Sequence, residues 1–179
     1  MITLYRNARL IDARGDRYGD LCTENGIITF SGPLCWQRAD RVIDMRRNAL
    51  MPAFIDTSSL LSQPRKPAGK ARGTICGTET ERAFQIRLNE FEENGIPLTQ
   101  LSAMLSHDPA KRLGLKAGLL APGYAANLVE ISVEEAREPD SHMMLPRSHD
   151  ATLRGSRLTG RILRTIIDGE PNYAYSTAI

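Results

Sequence analysis

The two ends of this chain are rich in strand-forming residues, and its middle is rich in helix-forming residues. Residues 1–55 alternate short β-prone runs with turn residues, residues 79–113 carry apolar residues at helical spacing, and strand character returns from residue 114. A few short strands cannot bury a face in water by themselves. The sequence therefore predicts that the two β-rich ends pair with each other, with two or three central helices packed alongside.

Local turn signals support this division. Asn25-Gly26 lies between two β-prone runs and is the residue pair favoured for a type I′ hairpin turn. A strand predicted over residues 161–167 ends at a second turn, Asp168-Gly169. Both pairs predict tight reversals of the chain at the ends of strands.

Three helical segments are predicted in the middle of the chain. The first covers residues 79–95 and ends at a glycine, and the second follows Pro97 with Thr99 as its cap. The third is a short helix or turn with Asp108 as cap and Pro109 at its first position.

The composition limits the classes of function. The chain is 41% hydrophobic and 25% charged, which is typical of a soluble globular protein, and its net charge of +2 gives no support for nucleic acid or an anionic membrane as partner. No apolar run approaches the roughly 18 residues of a membrane span, and the N-terminus lacks the apolar core of a signal peptide. The three cysteines are odd in number and lack CxxC spacing, so we expect a cytoplasmic protein with reduced thiols.

The stretch MPAFIDTSSLLSQ, residues 51–63, indicates a buried strand that ends in small hydroxyl residues. Strands of α/β proteins often deliver ligands or catalytic groups at such ends. Here the residues at that end include Ser58, Ser59 and Leu60. A nucleophilic serine needs a neighbouring base and an oxyanion hole, and the G-x-S-x-G elbow is absent from this stretch. We therefore expect ordinary polar residues at the end of the strand.

Several motifs in a fixed order resemble the amidohydrolase superfamily, and dihydroorotase most of all. The N-terminal resemblance covers residues 7–57, ending in ALMPAFIDT. The C-terminal resemblance runs through GTICGTET, LTQLSAMLSHDPAKRLGLKAGLLAPGYAANLVEIS and RSHDATLRGSRLTGRILRTIIDGE. In the family, the N-terminal part is a run of β-sandwich strands that leads into the first strand of a (β/α)₈ barrel.

The chain departs from the family where the barrel belongs. Leu60 and Gly73 are only 13 positions apart, whereas such barrels have typically about 250 residues. The resemblance implies a mainly β fold with some α (α+β) and no complete TIM barrel. A composite β-sandwich of residues 1–57 and 114–175 is expected, with a loop over 58–78 and a helical remnant over 79–113.

The family's metal-binding His-x-His pair falls on Ser58 and Leu60. A catalytic zinc needs three protein ligands, and leucine is not one. No catalytic residue is therefore transferred to this chain, and no cofactor is expected. The resemblance implies a non-catalytic structural or interaction module, whose partner covers the surface that the barrel covers in the family. That partner is a second copy or another protein, such as aspartate transcarbamoylase by family analogy.

Two alternatives remain open. The chain could hydrolyse cyclic-amide C–N bonds in pyrimidine metabolism with zinc in a makeshift site or one shared between subunits, and ancestry alone supports this. It could also be a deletion form without a selected activity.

The remaining candidate sites are three histidines, one cysteine and a short apolar cluster. The three histidines His107, His142 and His149 could converge on a metal, but isolated histidines are mostly solvated or hydrogen-bonded, and this is what we expect here. Cys76 precedes a predicted helix, and without a placed histidine it is expected to be inert. The cluster 143–145, Met-Met-Leu, fits a partner-binding patch or a buried loop equally well.

Overall fold

The structure is a computed structural model of the chain, and it describes residues 1–55, 88, 91, 94–137 and 158–174. These residues form strands at both ends of the chain and helical structure between them. The elements are β1 (Ile2–Asp12), β2 (Gly15–Glu24), β3 (Ile27–Gly32), β4 (Arg41–Asp44), β5 (Ala49–Pro52), α1 (Leu98–Ser102), a π-helical turn (Ala103–His107), α2 (Asp108–Arg112), β6 (Leu128–Arg137), β7 (Leu158–Ile167) and β8 (Glu170–Ala174).

The eight strands belong to one mixed sheet with the order β3-β2-β1-β5-β6-β7-β8, and β4 pairs with β1 outside this path. Strand β1 is antiparallel to β2 on one edge. On its other edge it pairs in parallel first with β4, at residues 3–6, and then with β5, at residues 9–10. Within the described residues the sheet is open, and no closed barrel of parallel strands is present there.

The sheet is built from both ends of the chain, as predicted. Strand β5 pairs antiparallel with β6, from Ala49 opposite Ile131 to Pro52 opposite Leu128. The mainly β class is therefore confirmed. The described strands form a single continuous sheet, so the two-layer sandwich and the division into domains remain predictions.

Both faces of this sheet are buried at its centre. On one face Ala49, Met51 and Val129 pack against the helical segment through Leu101. The opposite face carries Leu50, and it packs in a second cluster with Leu10, Leu21, Ile28, Leu120, Leu128 and Ile166. Since neighbouring residues of a strand point to opposite faces, a strand covered on both sides needs an unbroken apolar run, and β5 has the sequence ALMP.

The two predicted turns are confirmed. Asn25 and Gly26 have φ angles of 49° and 78°, and Asp168 and Gly169 have φ angles of 51° and 80°, as a type I′ turn requires. Ala126 joins the two hairpins, because its N–H donates to the Gly26 carbonyl at 2.8 Å and its carbonyl accepts from the Gly169 N–H at 2.9 Å.

The helical predictions are partly wrong. Residues 98–112 form one continuous helical segment rather than two separate helices. Thr99 lies inside its first turn and does not cap it, because Pro97 occupies the N-cap position in an extended conformation without a side-chain cap. Asp108 likewise does not begin a new helix, since the residue before it is already helical. Of the helix predicted over 79–95, only Leu88 and Phe91 are described as helical, and both are buried against the sheet.

The buried carboxylate of Asp12 holds the long connection before β6 on the sheet. It accepts the backbone N–H of Leu120 at 3.0 Å and a side-chain hydrogen bond from Arg14 at 2.6 Å. The Arg14 and Arg17 guanidinium groups also donate to the Leu120 carbonyl. Burial alone would raise the pKa of Asp12, but the hydrogen bonds from Arg14 and Leu120 outweigh it and hold that pKa below its ordinary value.

Asp12→Asn is expected to lower the free energy of unfolding by about 2–3 kcal/mol, because it removes charge-assisted hydrogen bonds. The matched control is Asp16→Asn: Asp16 pairs with Arg9 at a partly exposed site, and its loss is expected to cost less than about 1 kcal/mol. Urea unfolding at neutral pH measures both.

The same carboxylate predicts a pH dependence. Since the pKa of Asp12 is depressed in the folded state, its contribution is present above the unfolded value of about 3.9 and is lost as pH falls through the folded value. The stability gap between wild type and Asp12→Asn should therefore shrink in acid. A gap that is constant from pH 7 down to pH 3 would contradict this account.

Candidate functional site

The end of β5 is where the sequence predicts the family's site, and the structure describes the chain up to Ile55. Backbone hydrogen bonds hold this end on two sides. The Ala53 N–H donates to the Asn127 carbonyl at 2.8 Å, and the Ile55 N–H donates to the Leu105 carbonyl at 2.9 Å. Ser58, Ser59 and Leu60 lie outside the described residues.

Pro109 explains why the Leu105 carbonyl is free to accept a hydrogen bond from outside the helix. A residue at position 109 would normally donate its N–H to that carbonyl within the helix, but proline has no N–H. Ile55 supplies the missing donor. In addition, the Ser106 hydroxyl donates to the Pro52 carbonyl at 3.1 Å. The helical segment is thereby fixed to the end of the strand.

The side chains around this strand end are mostly apolar. Ala53 and Phe54 are buried in the same cluster as Leu88, Phe91 and Leu101. The described contacts at the strand end include apolar packing, one hydroxyl and backbone carbonyls. Across the described part of the chain, no three His, Cys, Asp or Glu residues come together as a metal site.

His107 is the one predicted metal candidate within the described residues. It lies in the π-helical turn, and its Nδ1 is 3.1 Å from Oδ1 of the neighbouring Asp108, with both side chains partly exposed. This is a local surface pair. His142, His149, Cys76 and the cluster 143–145 fall outside the described residues, so convergence of the histidines stays an untested prediction.

The structure also shows polar groups that sequence reasoning missed. The Glu130 carboxylate is buried in β6, where it accepts a hydrogen bond from Asn48 at 2.9 Å and lies 3.5 Å from the Arg164 guanidinium. These contacts join β6 to its neighbours.

Cys22 and Cys35 meet in the core with an Sγ–Sγ distance of 3.0 Å. Their spacing of 13 residues matches no motif, so no sequence signal pointed to this pair.

Two buried serines of the helical segment provide a matched test of the strand-end contact. Ser106→Ala is expected to lower the free energy of unfolding by about 1 kcal/mol, because the Pro52 carbonyl loses its hydroxyl donor. Ser102 is equally buried, but its hydroxyl has no hydrogen-bond partner among the described residues, so Ser102→Ala should be neutral or stabilising. Urea unfolding compares the two, and equal losses would show that the hydroxyl contact does not hold the strand end.

Comparison with known proteins identifies the class of fold. The crystal structure of enamidase, a member of the amidohydrolase superfamily, superimposes with a TM-score of 0.57 at 10% identity, covering 99% of this chain and 97% of that chain. At this level of identity the likeness concerns the fold alone.

The sequence comparison shows the family. The profile of the Amidohydrolase family matches residues 69–171, more than half of the chain, and this protein belongs to that family. It is 29% identical over 126 residues to a dihydroorotase of Clostridium botulinum and 31% identical over 140 residues to a dihydroorotase of Lactobacillus johnsonii. The predicted resemblance to dihydroorotase is confirmed.

The chain spans about a third of the length of these relatives. The two matches cover 70% and 72% of this chain but only 32% and 33% of the relatives.

Among the described residues, no helix is both long and apolar enough to cross a membrane.

Proposed function

We propose that this protein is a non-catalytic, dihydroorotase-like module with a structural or protein-interaction role. The observation that carries the proposal is the amino-acid sequence that follows β5. Where the family has a His-x-His pair, this chain has Ser58 and Leu60. A leucine side chain has no lone pair for a metal, so this position cannot supply its share of a catalytic zinc site.

The packing of the strand end supports the same role. In the described residues, Pro52 and Ile55 are hydrogen-bonded to the helical segment, and Phe54 is buried among apolar side chains. A strand end that is occupied by packing contacts contributes to stability.

An interaction role is supported by apolar side chains on the surface. Trp36, the single tryptophan of the chain, is 89% exposed, and Leu34 two residues earlier is 47% exposed. Tryptophan is enriched among the residues that dominate binding energy at interfaces. The proposed partner is a second copy of this chain. Aspartate transcarbamoylase is the alternative partner that the dihydroorotase likeness suggests.

The catalytic question is tested on protein purified without a histidine tag. We expect less than stoichiometric zinc, iron and manganese by elemental mass spectrometry, also after incubation with zinc. We expect no hydrolysis of dihydroorotate above the uncatalysed rate, with the Clostridium botulinum dihydroorotase as positive control. One bound metal per chain together with turnover would overturn the proposal and support a cyclic-amide hydrolase.

The interaction role is tested by sedimentation velocity at micromolar concentration. The chain is expected to dimerise, and Trp36→Ala should weaken the dimer by at least about 30-fold, the effect of an interface residue worth about 2 kcal/mol. Leu113→Ala is the control, because Leu113 is a partly exposed apolar residue that follows α2.

The fluorescence of Trp36 gives a second reading of the same surface. Since it is the only indole, its quenching by acrylamide should fall as the protein concentration rises through the dimer dissociation constant. A monomer with fully quenchable Trp36 would refute the dimer. Addition of purified aspartate transcarbamoylase would then test the alternative partner, and unchanged quenching and sedimentation would refute the interaction role at this surface.

A further inference from the structure

Two cysteines form a buried pair far from the predicted site. Cys22 lies on β2, and Cys35 lies on the segment 33–40 that joins β3 to β4. Their Sγ atoms are 3.0 Å apart, and both residues are free thiols. They pack with Leu4 in a small cluster of their own, which Phe30 and Ala39 partly cover.

The position of Cys22 is fixed by its neighbours in the sheet. It pairs with Leu4 of β1 on one side and with Phe30 of β3 on the other. A residue in the middle of three hydrogen-bonded strands has little freedom to move, so one half of the pair is rigid.

Cys35 is held over it by Asp20. The Cys35 N–H donates to Oδ2 of Asp20 at 3.0 Å, and the other carboxylate oxygen accepts the N–H of Asn7 at 3.1 Å. Asp20 lies two residues before Cys22 on the same strand, so both side chains point to the same face. By holding the backbone N–H of Cys35, the Asp20 carboxylate places the thiol of Cys35 next to the thiol of Cys22.

A second contact fixes the far end of the segment. The Asp40 N–H donates to the Ile2 carbonyl at 2.9 Å, and the Ile2 N–H donates to Oδ2 of Asp40 at 2.7 Å. The segment is thus attached to the sheet near both of its ends. The short Sγ–Sγ approach follows from these attachments.

We propose that Cys22 and Cys35 form an intramolecular disulfide site, which a low-molecular-weight disulfide such as oxidised glutathione closes. A disulfide bond is about 2.05 Å long, so the two sulfurs need to approach by about 1 Å from their positions as thiols. The site needs no hydrolytic activity. Cys35 lies between Leu34 and Trp36 of the proposed interaction surface, so the test below reads the two thiols themselves and not dimer formation.

The reaction is a pair of thiol–disulfide exchanges. The thiolate of Cys35 attacks one sulfur of oxidised glutathione, which forms a mixed disulfide and releases one glutathione thiolate. The thiolate of Cys22 then attacks the sulfur of Cys35 and displaces the second glutathione. Two protein thiols are oxidised, one glutathione disulfide is reduced to two glutathione thiols, and the two protons pass to them.

Access controls the rate of this exchange. Burial, together with the hydrogen bond to Cys35, raises the pKa of Cys22 to about 12. The thiolate is therefore scarce in the closed structure, and both thiols are shielded from reagents. Local opening of the segment 33–40 exposes Cys35 first, because Cys22 lies inside the sheet. Oxidation is consequently expected to be slow and limited by this opening.

The test uses the full chain with Cys76→Ser, so that the two thiols of the pair are the only ones counted. The protein is equilibrated in glutathione buffers from reducing to oxidising and quenched with acid. Thiols are then alkylated in denaturant, and the peptides are analysed by mass spectrometry. We expect both thiols to be lost together, and a linked pair of peptides, containing Cys22 and Cys35, that is lighter by two hydrogen atoms.

Stability gives an independent reading. Closing a loop of this length should raise Tm by roughly 6–10 °C in the oxidised protein. Cys35→Ala and Cys22→Ala should each abolish this rise, and circular dichroism checks that the variants fold. If neither variant folds, the Tm of the oxidised parent chain is compared with the Tm of the reduced parent chain. Equal Tm values would then contradict the proposal.

Three results would overturn the proposal. These are two thiols that stay reduced in oxidised glutathione, single mixed disulfides with glutathione at equilibrium, or a disulfide between two chains in place of the internal one.

Discussion

The antiparallel pairing of β5 with β6 is the contact on which the rest of this structure depends. It joins the strands of the first 55 residues to those of the C-terminal part across only four residue pairs, from Ala49–Ile131 to Pro52–Leu128. Each half alone would be a small set of strands with an apolar face in water. Pairing creates two buried faces at once, since Leu50 serves one core cluster and Met51 the other.

The connection between the helical segment and β6 reinforces this pairing. Its Leu120 is bound to the Asp12 carboxylate on β1, and its Ala126 bridges the turns of two hairpins. At the end of β5, Ile55 and Ser106 attach the helical segment to the sheet. Sheet, connection and helix therefore support one another. This explains how a chain that spans a third of its relatives' length organises a core.

Features set by local chemistry were predictable from the sequence. Asn25-Gly26 and the apolar run that includes β5 indicate a tight turn and a buried strand, because both depend on the residues themselves. The predicted helix cap at Thr99 is wrong, because Pro97 occupies the N-cap position instead. Contacts between distant segments were not predictable. The bond from Ile55 to Leu105 and the meeting of Cys22 with Cys35 depend on how separate elements cross in space.

Native-state hydrogen exchange of the whole chain tests the central claim most directly. If both ends of the chain form one cooperative sheet, the slowest amides of β1, β5 and β6 should exchange with a common opening free energy equal to that of global unfolding. Added urea should lower the opening free energies of the amides in all three strands together. The account would be contradicted if β6 and β7 exchanged through an opening that leaves β1 and β2 protected, because the two ends would then be separate units.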